Sequence, residues 1–464
     1  MPQGLLIAAE RSGAGKTMIT AALARALIDR GLVVQCFKVG PDFIDPGYHA
    51  AVTGRVSRNL DGWMMGRDCC LQTFHRAMEG ADIGVVEGVM GLFDGLSGGG
   101  DEGSSVQIAK WLGLPVILII DGSSFSRSAG AVALGFEQFD PGVHIAGIIF
   151  NKVGSPAHYE MLKAGVQEKC RADVLGYIPR DVQWQTPERH LGLVMAAERT
   201  ALQETLGQLA QQIAQTVNVD KIIQYAISGQ THRSAPTVYS AHSLPPDPRT
   251  LIPKIGVARD EAFCFCYQDN LDMLKQFGAE LVFFSPLQDT AMPESIQGLY
   301  LPGGYPELHA ETLSKNTTMR MAIAAFCAAG RPVYAECGGF LYLLESLTGL
   351  DGNSHAMAGF FPSQARMLPR LQRLGYVEAA ALPGHPYLAE GEKIRGHEFH
   401  YSAISGMPAR IQRTYRVMRR KDKAEFDEGF RLHNTLAGYM HLHFASNPGF
   451  AEHFVGSCRQ APPS

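Results

Sequence analysis

No apolar run in this chain approaches the ~18 residues a membrane-spanning helix needs, so no span is expected. Positive charge is not in excess either. The formal net charge is −4, which leaves no basic stripe for a nucleic acid. The nine cysteines lack any Cys-x-x-Cys framework. The closest pairs, Cys69-Cys70 and Cys264-Phe265-Cys266, do not have metal-ligand spacing and read as partly buried thiols. An odd, unpatterned set fits a reducing compartment. A charged segment leading into an apolar one is missing from the start, where Met1-Pro2-Gln3-Gly4 runs straight into a strand. The cytoplasm is the expected location. No internal repeat is found. What remains is 464 residues of ordinary globular composition, 46% hydrophobic and 19% charged, enough for two or three domains with full cores.

Short β-rich runs alternate with helical stretches from the start. LLIAA, LVVQCFKVG, DIGVVEGV, LPVILIID and HIAGIIFNKV read as strands buried on both faces. TMITAALARALIDRG, SSVQIAKWLG and AHYEMLKAGVQEKC read as the helices between them. Such alternation predicts a parallel, doubly wound sheet. LQETLGQLAQQIAQ, within 200–225, reads as a further amphipathic helix. The Ser-, Pro- and Thr-rich stretch 228–250 then reads as a linker. After it IPKIGVARDEAF opens a second strand-and-helix series, with ELVFFSP, GLYLPGG, RPVYAE and later strands around 373–418. The expected layout is a first domain over 1–227, a linker over 228–250, a second domain over 251–450 and a tail over 451–464.

Residues 10–17, ERSGAGKT, follow the first strand directly. Gly13 and Gly15 let backbone amides approach a polyphosphate, and the helix starting near Lys16 points its N-terminal dipole at the same charge. Lys16 then contacts the β/γ-phosphates and Thr17 ligates magnesium. The strict motif has glycine where this chain has Glu10, so the loop is a variant. Arg11 sits where a subgroup of such loops carries an additional lysine. Magnesium partners are expected at later strand ends, where doubly wound sheets place their sites. GPDFIDPGYH (40–49) offers Asp42 and Asp45 in a turn-rich loop. VEGVMGLFDG (86–95) offers Glu87 at a strand end and Asp94 seven residues on. Carboxylates gathered beside a triphosphate imply one or two magnesium ions. Asp-Pro and Asp-Gly also form turns, and Asp94 fits that role equally well. Asn151, ending a strand, offers an amide to an adenine edge or caps the chain. Arg11, Arg55 and Arg58 could take substrate carboxylates or serve as solvated surface charge.

PVYAECGGFLYLLE (332–345) is an apolar strand, then Cys337 between Glu336 and two glycines, then a helical pattern. A nucleophile on such a strand-to-helix turn stands exposed above the sheet, and the helix N-terminus favours its thiolate. Gly338 and Gly339 allow the sharp turn. Backbone amides for an oxyanion hole are offered by Gly303 and Gly304 in LPGGYPE. The base is expected in GYMHLHFASNP (438–448), where His441 and His443 share one face of an extended segment.

These residues resemble the class I glutamine amidotransferase domain, in a subfamily fused to a P-loop synthetase. The usual base occurs as His-x-Glu. This chain has His441-Leu442-His443, which aligns His441 with the base and sets His443 where the glutamate is missing. ERSGAGKT, VGPDFIDPGYH, RNLDGWMM, VEGVMGLFDG, LPGGYPELHA, ECGGFLYL, RLGYVEA, GHEFHYS and YMHLHFASNP occur in the order found in cobyrinate a,c-diamide synthases. The resemblance implies two doubly wound, mainly parallel α/β domains, one dethiobiotin-synthetase-like with the P-loop and one flavodoxin-like. It implies ATP as co-substrate, magnesium as cofactor, and glutamine and cobyrinate as substrates, with room for a homodimer. ATP would phosphorylate the a and c acetate carboxylates, and ammonia released at Cys337 would displace phosphate. The magnesium and catalytic carboxylates map onto Asp42, Asp45, Glu87 and Asp94. Hydrogenobyrinate or nickel-sirohydrochlorin remain alternative substrates, and a partition-type P-loop switch ATPase the alternative class.

Overall fold

The computed structural model describes residues 3–180, 196–228 and 251–462. The described residues up to Ser228 form one compact unit and those from Leu251 a second. Apart from Ser228, the expected linker lies outside the described residues.

The first unit is built on a sheet of seven parallel strands. They are β1 (Gly4–Ala9), β2 (Val34–Val39), β3 (Arg58–Leu60), β4 (Ile83–Glu87), β5 (Val116–Asp121), β6 (Ile145–Val153) and β7 (Asp173–Pro179), in the order β3-β2-β4-β1-β5-β6-β7. Strand side chains alternate between two cores. Leu5, Ile7 and Ala9 enter one, and Leu6 and Ala8 the other. That is why these runs are apolar at every position rather than at every second one. Helices Lys16–Ile28, Ala196–Thr216 and Val219–Ser228 line the first core; the last two replace the one amphipathic helix expected. Serines cap two helices on the other side: Ser104 accepts from Gln107 N at 3.2 Å and Ser155 from His158 N at 3.1 Å.

Residues 45–53 differ from expectation. They form a helix, Asp45–Thr53, with Pro46 in the first turn, where the sequence reads as a turn-rich loop. Proline is tolerated there because the first helical N–H groups have no partner within the helix.

In the second unit, β8 (Lys254–Ala258), β9 (Glu280–Phe284), β10 (Gly298–Leu301), β11 (Val333–Glu336), β12 (Leu344–Thr348), β13 (Ser354–Ala356), β14 (Phe361–Met367), β15 (Arg373–Ala381), β16 (Lys393–His400), β17 (Ser402–Ser405), β18 (Gln412–Arg419), β19 (Glu425–Leu432), β20 (Thr435–Gly438) and β21 (His441–Leu442) follow in order. Ten of them make one sheet, β21-β16-β15-β18-β19-β20-β11-β10-β8-β9, and β13-β12-β14-β17 make a smaller one. The large sheet is parallel from β20 to β9, the expected doubly wound half. From β21 to β20 it is antiparallel. The helical pattern after Cys337 ends early: the helix is only Gly338–Tyr342, and β12 begins at Leu344.

The chain after residue 450 is not a tail. Helix Pro448–Gln460, capped by Asn447 Oδ1 accepting from Gly449 N at 3.1 Å, buries Phe450, Ala451, Phe454, Val455 and Cys458 in the core. Among the described residues no helix is long and apolar enough to cross a membrane.

Candidate active site

In the first unit the loop after β1 leads into the helix whose N-cap is Gly15, at φ 96°, a conformation open to glycine. A side chain at Gly15 would also overlap the Asn151 amide. Asn151 itself donates to Ala14 O at 2.8 Å and accepts from Lys152 N at 2.8 Å, so its amide clamps the loop backbone. Lys16 is buried, its ammonium folded onto Met90 O and onto Arg11 O at 3.3 Å. Glu10, the departure from the strict motif, accepts from Asp121 N at 3.2 Å. Arg11 and Lys152 both pair with Asp121 Oδ2 at 2.9 Å, tying the loop to the ends of β5 and β6.

Thr17 Oγ1 lies 2.8 Å from Glu87 Oε1 and 3.3 Å from Asp45 Oδ1, which brings three expected magnesium ligands together. The other two accept from backbone amides. Asp42 Oδ1 accepts from Ile44 N at 2.6 Å and Asp45 N at 3.2 Å, closing the turn into the helix. Asp94 Oδ2 accepts from Gly91 N at 2.9 Å. Short acidic side chains beside a turn satisfy the backbone. The charge of Asp42 is nevertheless felt at Lys38 and Asp45, so it borders the cluster. Among the described residues no group of three or more His, Cys, Asp or Glu side chains forms a ready metal cage. The hydroxyl and two carboxylates are still the hard oxygen donors that magnesium takes, usually with water and phosphate completing its shell.

Two residues unassigned from sequence complete this cluster. Lys38, buried on β2, reaches Asp45 Oδ2 at 2.7 Å, Glu87 Oε1 at 3.0 Å and Gly88 O at 2.9 Å. His49 Nε2 lies 2.7 Å from Glu87 Oε2, and its Nδ1 lies 3.0 Å from Ser57 Oγ. Asp45 and His49, four apart on one helix, thus face one cluster, Asp45 meeting Lys38 and His49 meeting Glu87. Burial alone would raise the Glu87 carboxyl, but Lys38 and hydrogen bonds from His49 and Thr17 hold it low. Asp45 moves the other way, raised by burial and by the Glu87 charge. The available signal was a lysine inside the mostly apolar run LVVQCFKVG. Arg55, by contrast, is spent on Gln35 Oε1 and on Ala77 O and Glu79 O.

In the second unit Cys337 follows β11 at φ 42°, ψ −101°, a strained conformation for a non-glycine residue and the mark of a nucleophile elbow. Its N–H donates to Gly438 O at 2.7 Å and its Sγ lies 3.9 Å from Phe399 O. Gly339 N donates to Pro302 O at 3.0 Å, and a side chain at Gly338 would press on Gly304 N at 2.9 Å. A side chain at Gly303 would overlap His441 Cε1. The Gly303–Gly304 turn therefore borders both the elbow and the imidazole, bringing the four expected residues of this half together.

The thiolate expectation is corrected. The following helix has five residues, too short for a strong dipole. Burial, with Glu307, Glu336 and Glu398 nearby, pushes the Cys337 thiol up. Burial, with His397 and His400 beside it, pushes His441 well below its ordinary value. Burial thus favours the thiol form of Cys337 and the neutral ring of His441. The His441 ring stacks on His397, its β16 register partner, with centroids 5.0 Å apart. His397 Nδ1 lies 3.0 Å from Tyr267 Oη. His443 packs on the Tyr267 ring at 4.7 Å, and both of its ring nitrogens are buried without a hydrogen bond. It does not take the place of the missing glutamate. His397 belongs to GHEFHYS, a segment the sequence marks without assigning a role.

Residues 254–449 match the CobB/CobQ-like glutamine amidotransferase domain and residues 5–194 the CobQ/CobB/MinD/ParA nucleotide-binding domain. With the fold and the paired loop and elbow, these matches define the class: a glutamine-hydrolysing carbon–nitrogen ligase of two α/β domains. A switch ATPase has no use for the second domain. Cobyrinate a,c-diamide synthases align along nearly the whole chain. The protein from Syntrophotalea carbinolica is 43% identical, covering 98% of each chain. That from Listeria monocytogenes is 42% identical over 98% of this chain and 99% of its own. That from Archaeoglobus fulgidus is 41% identical over 97% and 96%. The chain belongs to the cobyrinate a,c-diamide synthase family.

Proposed function

We propose that this protein amidates the a and c acetate carboxylates of cobyrinate, using ATP and glutamine. The observation that carries this reading is full-length similarity to relatives of that name. It is supported by Thr17 beside Asp45 and Glu87, and by the Gly303–Gly304 turn that borders both the Cys337 elbow and the His441 ring.

In the first unit a substrate carboxylate oxygen attacks the γ-phosphorus of ATP, ADP leaves, and an acyl phosphate results. Lys16 and the loop amides stabilise charge on the phosphates, and Lys38 keeps Asp45 and Glu87 in place. Magnesium held by Thr17, Asp45 and Glu87 would neutralise phosphate charge. Ammonia then attacks the activated carbonyl carbon, loses a proton, and phosphate departs with the C–O bond. A bare carboxylate does not undergo this step, because oxide is too poor a leaving group.

In the second unit Cys337 Sγ attacks the glutamine amide carbon while His441 takes the thiol proton. Burial disfavours a free thiolate, so proton transfer accompanies the attack. Backbone amides at Gly304 and the elbow receive the oxyanion. His441 returns the proton to the leaving ammonia, and water then hydrolyses the thioester to glutamate.

The test is to offer cobyrinate, hydrogenobyrinate and nickel-sirohydrochlorin separately with ATP and glutamine and to weigh the products. Two amidations of cobyrinate are expected, each with one ATP and one glutamine consumed. No mass gain on cobyrinate overturns the substrate assignment.

A further inference from the structure

The strand that carries the base is an edge strand. In the large sheet β21 hydrogen-bonds to β16 alone, while β11, which delivers Cys337, lies five strands away from β16 in the sheet order. No ladder joins nucleophile strand to base strand. Yet Glu336, the last residue of β11, accepts from Leu442 N at 3.1 Å through Oε1. The same oxygen accepts from Tyr334 Oη at 2.7 Å, and Oε2 accepts from Tyr300 Oη at 3.0 Å. All four residues are buried. From the far side Asn270 brackets the segment, donating to Leu442 O at 2.8 Å and accepting from Phe444 N at 2.8 Å.

We infer that Glu336 is a positioning residue for glutamine hydrolysis, the side chain that holds the His441 strand in register with the Cys337 elbow. The inference rests on Cys337 and His441 being nucleophile and base. In His-x-Glu amidotransferases a carboxylate follows the base by two residues. Here His443 occupies that place without hydrogen bonds, and the carboxylate that reaches the base segment comes from the residue before the nucleophile. One side chain is thus bonded to the neighbour of His441 and joined by the peptide chain to Cys337. The two tyrosines engage both of its oxygens, and its three donors are neutral. Burial raises its carboxyl to about 7 against the pull of those donors, so acceptor geometry rather than charge is the working property.

That distinction sets the experiment. Glu336→Met keeps the bulk and removes the acceptor. Its glutaminase kcat should fall about tenfold or more with KM for glutamine within about twofold, because a base displaced by about 1 Å loses on the order of 10² in rate. Glu336→Gln keeps an Oε1 acceptor for Tyr334 and Leu442, while Tyr300 turns its proton to Cys266 Sγ, 3.5 Å away. It should recover kcat to within about threefold of the parent. A folded Glu336→Met with unchanged kcat overturns the inference, and so does equal loss in the Met and Gln variants. If the Met variant does not fold, the double variant Tyr300→Phe, Tyr334→Phe decides. A kcat fall of about threefold or more at constant KM supports the latch, and an unchanged kcat overturns it. Cys337→Ala run alongside separates the two claims, since glutaminase activity surviving there refutes the site assignment instead.

Discussion

Lys38 stands in a strand whose other side chains are buried, and its ammonium is matched by two carboxylates on different elements. Removing one member of such a buried set leaves charges that nothing compensates. Lys38→Met should therefore destabilise the protein by about 3–5 kcal/mol in denaturant unfolding. An unfolding midpoint unchanged from the parent would show that Asp45 and Glu87 do not depend on it. A second residue-scale consequence concerns His443, pushed down to about 3 by burial. Unfolded, the same ring titrates near its ordinary value of about 6.5, so between these values the unfolded chain binds a proton that the native chain refuses. The contribution to stability is thus lost as pH falls below about 6.5, by about 1.4 kcal/mol per unit for this ring. His443→Phe lacks that loss. Relative to the parent it should gain about 1 kcal/mol between pH 6.5 and 5.5, where the slope is still building, measured as unfolding free energy at each pH, and a pH-independent difference would refute the burial account.

Among the elements, the Gly303–Gly304 turn has little freedom. It lies between the elbow and the base, and it has no room for a methyl group at Gly303 without moving the His441 ring. Gly303→Ala should lower glutaminase kcat on the order of 10²-fold while ammonia-dependent synthesis continues, assayed in parallel with glutamine and with ammonium. Equal loss in both assays would place the turn's role outside glutamine hydrolysis. The elements also show where reading by pattern stops. Glycine at 303 and 304 and the strand before them are legible as a candidate oxyanion turn. Helix Asp45–Thr53 is not, because Asp-Pro-Gly reads as a turn. Its helical state depends on Asp45 and His49 meeting Lys38 and Glu87 across the sheet. The shortness of the helix after Cys337 was equally hidden, since FLYLLE fits a helix or a strand until packing chooses.

On the scale of the whole molecule, the proposed function divides one reaction between the two units. Cys337→Ala should keep synthesis with added ammonia and lose it with glutamine, and loss of both would contradict this division of labour. Two α/β units, the phosphate loop, the cysteine elbow and His441 were determined by sequence alone. Each is written in contiguous residues, as strand periodicity, glycine spacing or a nucleophile between strand and helix. Tertiary structure decided the rest. It set which two of four carboxylates meet Thr17, the lysine between them, the antiparallel extension of the second sheet and the closing helix over 448–460. It also set the tie from Glu336 to Leu442, two residues 106 apart in sequence. The physical reason is common to all of these. A buried charge or an edge strand is satisfied by whatever the fold brings beside it, and no local pattern records a partner that distant.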